Sequence, residues 1–307
     1  MKDWERTKRI RTDMSEYVLH WTRAQFEKVD GQYQHFQTYD VLKLILQDGF
    51  LTATFAERQS LLGTKPKPSV RGPYRAVCYT EQPLRFYLES IKASNQSFRG
   101  RYNEFAVAVQ KDQLYHYGGR PVIYSGEDIL GDRLDPSERV KRGYPQEASV
   151  YKGGLPEDSQ YLWVNYDPTA LWRDRKYPID FTHEREWRAR PNVKLNRTIG
   201  LGKHADNAVP VHLPTGVTNT PAAPRFVILV DTEMRKSELA DWIRLNSEQI
   251  RAKGAYWQRY GTALLTACES DYILSFEKVE KEDNHRSLGR IEDFISLENE
   301  TPEEDDF

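Results

Sequence analysis

Cysteine is nearly absent from this chain, which has only Cys78 and Cys268 among its 307 residues. Two cysteines are too few for a disulfide framework or a cysteine zinc site, and they fit a reducing compartment. No run approaches the roughly 18 apolar residues of a membrane span. The polar, basic N-terminus also has no apolar signal segment, so we expect a cytoplasmic protein that does not enter the membrane. The formal net charge of −2 gives no overall attraction to nucleic acid or membrane.

Motifs of several enzyme classes are missing as well. The seven histidines form no H-x₃-H pair and no H-E-x-x-H motif, so the sequence predicts no metal site. It also has no G-x-S-x-G, no G-x-G-x-x-G and no Walker A string. Cys78 falls in the middle of a predicted strand, where a buried structural thiol is expected. These absences argue against a zinc enzyme, a serine or cysteine hydrolase and a nucleotide-binding α/β fold.

The residues that are present suit a polar protein with a real core. Hydrophobic residues make up 38% and charged residues 29%, while 18 tyrosines and 7 tryptophans could serve either a core or a ligand cleft. Short strands and helices alternate irregularly without a βαβ rhythm, which predicts the α+β class. We expect an N-terminal arm over 1–15, one domain over 16–297 and an acidic tail over 298–307. The domain would consist of a core over 17–190 and C-terminal strands and helices over 225–297.

Hydrophobic periodicity predicts most of the individual elements. Helix 39–48 is expected to be capped by Thr38 or Asp40 and to stop at Gly49. Residues 114–117 are predicted to lead through a turn at Gly118-Gly119 into a strand over 121–124. Residues 56–74 and 191–224 are predicted to be loops. The remaining predicted strands are 17–22, 75–81, 102–109, 225–230 and 272–276, and the remaining helices are 84–93, 235–253 and 286–297.

The most distinctive stretch is 179–190, where Glu184 and Glu186 lie two residues apart. If the stretch is extended, Glu184, Glu186 and Arg188 share one face and Trp187 lies on the other. Such a strand could be the acidic wall of a site or a charged edge strand whose ion pairs are solvated. Taken alone, the stretch favours the edge strand, because exposed strand faces are commonly charged.

A series of short motifs changes that balance. His20-Trp21-Thr22 ends the first strand, and a helix and a loop with Arg58 follow. The later motifs are 76–84, 102–111, 119–124 and 184–188. In their order and spacing they resemble bacterial DarT-like ADP-ribosyltransferases and the AbiGi-like abortive-infection proteins of phage defence. The resemblance covers about residues 17–190, with 225–230 included, and the CmdT-type toxin, which acts on RNA, is a further candidate relative.

The resemblance implies an ADP-ribosyltransferase-like split mixed β-sheet with flanking helices and long loops. It also implies NAD as substrate, without a metal. Breaking the nicotinamide–ribose bond creates an oxocarbenium-like ribose, whose charge a carboxylate can stabilise. By resemblance the catalytic residues would be Glu186, Tyr79 as the aromatic wall for nicotinamide, and His20 as a hydrogen-bonding group. The residues expected to bind NAD would be His20, Thr22, Tyr79, Arg58, Arg75 (with Arg71 as an alternative) and Glu184.

The resulting hypothesis is a toxin or phage-defence effector that transfers ADP-ribose to a nucleic acid or a protein, with a cognate antitoxin as a further partner. The basic loops 56–75 and 95–101 would face the acceptor. One departure is that DarT-like enzymes have a more aromatic end to the second strand than Tyr79-Thr80-Glu81. The hypothesis requires His20, Tyr79 and Glu186 to face one cleft, and it is to be dropped if these side chains diverge.

Two alternatives stay open. The first is a non-catalytic member of the same fold that binds a partner as an antitoxin or sensor, with structural carboxylates. The second is a magnesium-dependent nuclease, for which Asp48, Glu81, Glu184 and Glu186 form the available carboxylate set.

Overall fold

A computed structural model describes residues 15–22, 25–29, 32–55, 70–97, 104–166, 182, 185–212, 226–281, 291 and 294. The predicted arm (apart from Ser15), the acidic tail, Arg58 and Glu184 lie outside these residues. So do residues 98–101, most of the loop 56–74 and most of the predicted helix 286–297.

The elements follow one another in a mixed order of strands and helices. The strands are β1 (Tyr17–Trp21), β2 (Gln25–Val29), β3 (Gln32–Phe36), β4 (Phe50–Thr52), β5 (Val77–Thr80), β6 (Ala106–Gln110), β7 (Arg120–Pro121), β8 (Ile123–Ser125), β9 (Gly131–Arg133), β10 (Tyr151–Gly153), β11 (Trp163–Asn165), β12 (Glu186–Ala189), β13 (Ala208–Pro210), β14 (Phe226–Val230) and β15 (Ile273–Ser275). The helices are α1 (Thr38–Asp48), α2 (Leu84–Ser97), α3 (Lys111–Tyr117), α4 (Pro136–Lys141), α5 (Val193–Ile199), α6 (Glu233–Arg251), α7 (Ala255–Glu269) and α8 (Phe276–Lys281), with short 3-10 turns at Glu127–Leu130, Gln160–Leu162 and Gly202–His204.

A seven-stranded sheet in the order β15-β14-β6-β1-β5-β12-β7 forms the centre of the protein. The β14–β15 pair is parallel, and the other neighbours are antiparallel. The predicted α+β class and mixed sheet are therefore confirmed. Within the described residues, no helix is both long and apolar enough to cross a bilayer.

Helices cover both faces of this sheet. Trp21 on one face stacks on Tyr87 of α2, with ring centroids 3.3 Å apart, and lies 6.0 Å from the ring of Phe276 in α8. On the opposite face, the ring of Phe226 lies 5.9 Å from that of Tyr260 in α7. Because both faces are covered, β14 is a continuous apolar run whose five residues are all buried, as the sequence predicts.

The C-terminal end of α1 is held by side chains from the C-terminal part of the chain. Helices leave their last carbonyl groups without partners inside the helix. Here four consecutive carbonyls accept hydrogen bonds from residues in and just before α7. We call this set the α1 carbonyl clamp. The donor side chains and the residues whose carbonyls accept are Tyr260 to Leu46, Lys253 to Gln47, Trp257 to Asp48 and Tyr256 to Gly49.

Gly49 ends α1 as predicted, in a left-handed conformation with φ of 77°. The predicted N-terminal cap is wrong. Gln37 occupies the cap position, and its side chain makes no capping bond.

Two segments are more ordered than the sequence suggests. Residues 111–117 form helix α3 ahead of the predicted strand 121–124, which is present as β7 and β8. The predicted loop 191–224 contains α5 and β13. Tyr117 links these segments, because its hydroxyl donates to Asn196 Oδ1 or the Ala208 carbonyl and accepts from the backbone N–H of Asn192. The order of 192–210 thus depends on a tyrosine about 80 residues earlier, a contact that local periodicity does not reveal.

Candidate functional site

The strands that carry His20, Tyr79 and Glu186 are neighbours in the sheet, in the order β1-β5-β12. β5 pairs with β12 over four residues, but with β1 only at Leu19↔Thr80. Beyond that pair, His20 Nδ1–H donates to the Cys78 carbonyl at 2.8 Å. A side-chain hydrogen bond thus joins β1 to the backbone of β5 next to their one residue pair.

Tyr79 lies in the core. Its side chain is 2% exposed, and its ring lies 5.9 Å from that of His20 in an edge-on arrangement. Its hydroxyl has no hydrogen-bond partner in the described structure. Burial raises the pKa of this hydroxyl well above its usual range, and the nearby Tyr117 adds to the rise. The aromatic wall expected at Tyr79 is therefore enclosed and does not line an open surface.

Glu186 lies on the opposite face of the sheet from Tyr79. The register pairs Trp187 with Tyr79 and Glu186 with Thr80, and directly opposed residues share a face. His20 and Tyr79 share one face of the sheet and Glu186 lies on the other, so the three side chains do not face one cleft as expected. Arg185 has φ of 44°, so regular extended structure starts at Glu186. The predicted alternation of faces from 179 onward does not hold across that residue.

The Glu186 carboxylate forms an ion pair with a buried arginine. Arg188 Nε donates to Glu186 Oε1 at 2.7 Å, and the two side chains are 3% and 16% exposed. Arg188 Nη1 also donates to the carbonyls of Tyr161 and Trp163, at 2.8 and 3.1 Å. Arg188 therefore fastens the 160–163 turn to β12, and Glu186 balances its charge.

A different carboxylate reaches the face that His20 and Tyr79 share. Glu81, directly after β5, accepts from Trp187 Nε1 at 3.0 Å and from Lys111 Nζ at 2.6 Å. Both of its oxygens are thus engaged in a mostly buried ion pair. Glu81 was expected to act only in the nuclease alternative, although its spacing from Tyr79 already predicts that the two share a face.

Three described candidates for NAD binding lie outside this group, namely Thr22, Arg75 and Arg71, whose guanidinium is 5.6 Å from the centre of the Trp163 ring. Thr22 is buried, and its hydroxyl donates to the Phe105 carbonyl at 3.0 Å. Arg75 is exposed, with its guanidinium 5.5 Å from the centre of the Phe55 ring. Within the described residues, no group of three His, Cys, Asp or Glu side chains could hold a metal ion.

Two cavities in the described structure lie away from these residues. One, of about 360 Å³, is bordered by α6 and Cys268 of α7. The other, of about 420 Å³, lies between α1 and α6 beside Tyr39 and Trp242. Neither includes His20, Tyr79 or Glu186 in its lining.

Comparisons with known proteins give no further information on these residues. No protein-family model matches the chain, and searches of curated proteins and of solved structures give no significant match.

Proposed function

We propose that this chain acts by binding a partner, as an antitoxin or sensor with an ADP-ribosyltransferase-like fold, and does not itself transfer ADP-ribose. One observation carries the proposal. The side chains that would form the catalytic group are divided between two faces of the sheet, with Tyr79 enclosed on one and Glu186 paired with Arg188 on the other.

The fold part of the proposal is supported by the arrangement of three strands. The strands carrying His20, Tyr79 and Glu186 lie side by side in one mixed sheet, as a common site would require. β1 and β5 are joined by only one residue pair, whereas β5 and β12 share four.

The non-catalytic part follows from what catalysis would demand. A carboxylate must meet the positive charge that develops on ribose. If Glu186 turned away to do so, it would give up its bond to the buried Arg188, and breaking a buried pair costs about 3–5 kcal/mol. Tyr79 is 2% exposed, so nicotinamide could reach its ring only after the side chains that cover it had moved. Both changes would be needed in the same complex.

Labelled NAD tests the proposal directly. The full chain is incubated with NAD labelled in the adenylate phosphate and with separate pools of DNA, RNA and protein, beside an active transferase as control. We expect no transfer to any pool, and the same result for Glu186→Gln. Transfer that is abolished by Glu186→Gln would overturn the proposal.

ADP-ribosyl transfer is the second candidate, favoured by the partial exposure of Glu186. In that case NAD would approach the face that carries Glu186 and Thr80, and Tyr79 would support the strand from behind. This candidate predicts transfer that Glu186→Gln abolishes and Tyr79→Phe preserves. Loss of transfer in both variants would instead require the two faces to act together.

A further inference from the structure

Two arginines lie together at the β7 edge of the sheet. Arg120 of β7 pairs with Arg188 of β12, so it shares a face with Arg190 two residues further along. Diagonal neighbours of this kind are about 7–8 Å apart at Cα. Burial raises the pKa of the Tyr161 hydroxyl; the charges of Arg190 and Arg120 oppose that rise and that of Asp158 adds to it. Both guanidiniums, and one carboxylate, therefore lie near this group.

Each of these arginines rests on an exposed tyrosine. The Arg120 guanidinium lies 3.8 Å from the centre of the Tyr115 ring, and that of Arg190 lies 4.6 Å from the centre of the Tyr74 ring. Tyr115 and Tyr74 are 49% and 41% exposed. Arg75, next to Tyr74, is exposed as well. We call these five residues the Arg–Tyr face.

The positive charges of the Arg–Tyr face are not neutralised by ion pairs. In the described part of the chain, no carboxylate lies within ion-pair distance of Arg75, Arg120 or Arg190. Arg120 uses one guanidinium nitrogen for the carbonyls of Tyr115 and Gly119, which leaves further N–H donors for a ligand. Some other arginines of the described surface, such as Arg142 and Arg244, are paired with acids, whereas Arg133 and Arg259 are not.

We infer that the Arg–Tyr face binds single-stranded nucleic acid. Arginines bind phosphate through paired N–H groups, and exposed rings stack on unpaired bases. A duplex would offer phosphates but no free base faces, so the exposed tyrosines favour a single strand. The inference deepens the proposed function by naming the partner.

Binding of labelled oligonucleotides tests the inference. The probes are fluorescein-labelled oligo-dT and oligo-U of about 15 nucleotides, a length that suits single-strand sites of this size, and a duplex of equal length. Fluorescence anisotropy is measured between low and physiological salt. The variants are Arg120→Gln, Arg190→Gln and Tyr115→Ala, with Arg244→Gln as the matched loss of one positive charge elsewhere. Circular dichroism checks that each variant is folded.

We expect both single strands to bind more tightly than the duplex. Three phosphate contacts predict that log K falls against log salt with a slope of about −2, and each arginine variant should reduce the slope by about 0.7. Tyr115→Ala should weaken binding about tenfold through lost stacking. Arg244→Gln should bind like the wild-type chain.

Three results would overturn the inference: no binding of single strands at low salt, equal weakening by Arg244→Gln, or displacement of the oligonucleotide by polyglutamate at equal charge. The last result would identify the partner as an acidic protein. Failure here leaves the NAD assay unaffected, and transfer of ADP-ribose would not alter the binding result, so the two proposals fail separately.

Discussion

Replacing Arg188 with methionine would remove the guanidinium that joins β12 to the 160–163 turn. Glu186 would keep a carboxylate whose side chain is only 16% exposed, now without a counter-charge. The carbonyls of Tyr161 and Trp163 would lose their donor. Removing one partner of a buried pair costs about 3–5 kcal/mol, and we expect about 4 kcal/mol because Glu186 retains some access to water.

Glu186→Gln is the informative companion change. Glutamine still offers an oxygen to Arg188 Nε, and Arg188 keeps both carbonyls, so we expect a loss of about 1.5 kcal/mol, the lower end for a charged hydrogen bond. In the double variant the uncompensated charge is absent. The double variant should therefore lose less unfolding free energy than the two single variants lose together, by at least about 1.5 kcal/mol. A difference of that size is within the usual range for residues in contact.

Urea unfolding followed by tryptophan fluorescence measures these free energies, and an unchanged m-value confirms that the compared states are alike. Single losses that add to within about 0.5 kcal/mol would show that the two side chains are independent. Together with an undisturbed Glu186→Gln variant, that result would refute a structural role for Glu186. It would also return the residue to the candidates for catalysis.

Three further predictions concern the core. Tyr260→Phe removes the donor to the Leu46 carbonyl at 3.0 Å and should cost about 1–2 kcal/mol in urea unfolding, whereas an unchanged midpoint would contradict the bond. In Gly49→Ala the residue would have a φ of 77° and a Cβ 2.9 Å from the Tyr260 ring, so we expect a loss of about 2 kcal/mol or more in unfolding free energy. Gly200→Ala is the control, because its φ is 93° but a Cβ there would meet open space. It should show only the smaller backbone cost when both variants are compared in a thermal melt. Burial raises the pKa of Tyr117 to about 12. The neutral hydroxyl therefore stabilises the folded chain fully below a pH of about 10, and this contribution is lost as the pH rises to about 12. The free energy of unfolding should fall less steeply over that range in Tyr117→Phe than in the wild-type chain. Identical slopes in the two proteins would contradict the prediction.

The local sequence pattern was sufficient to predict those helices and strands in which the spacing of apolar residues marks the buried side. β1, β6, β14, α1 and α6 fall where the sequence predicts them, because apolar spacing alone decides which side faces the core. Thr232 caps α6, and its hydroxyl accepts from the N–H of Arg235, as the general preference for threonine at this position would suggest. Helix α3 was missed because seven residues carry too little pattern to distinguish a helix from a strand.

The candidate site was only half predictable for a related reason. Which residues share a strand face follows from alternation, and the sequence could place Tyr79 with Glu81. Which face of β5 meets which face of β12 depends on register, and a shift of one residue would have put Glu186 beside Tyr79. The left-handed Arg185 just before β12 is a further feature that no spacing rule anticipates.

The α1 carbonyl clamp also has a consequence for the time course of synthesis. Its donors follow their acceptors by 206–214 positions in the chain. At translation rates of about 5–20 residues per second, α1 leaves the ribosome about 10–40 s before Tyr260 exists. During that interval water must satisfy the last carbonyls of α1. The edge of β6 that pairs with β14 likewise has no β14 partner until that strand has been translated. The N-terminal half is therefore expected to reach its final packing only after the chain has been translated past α7.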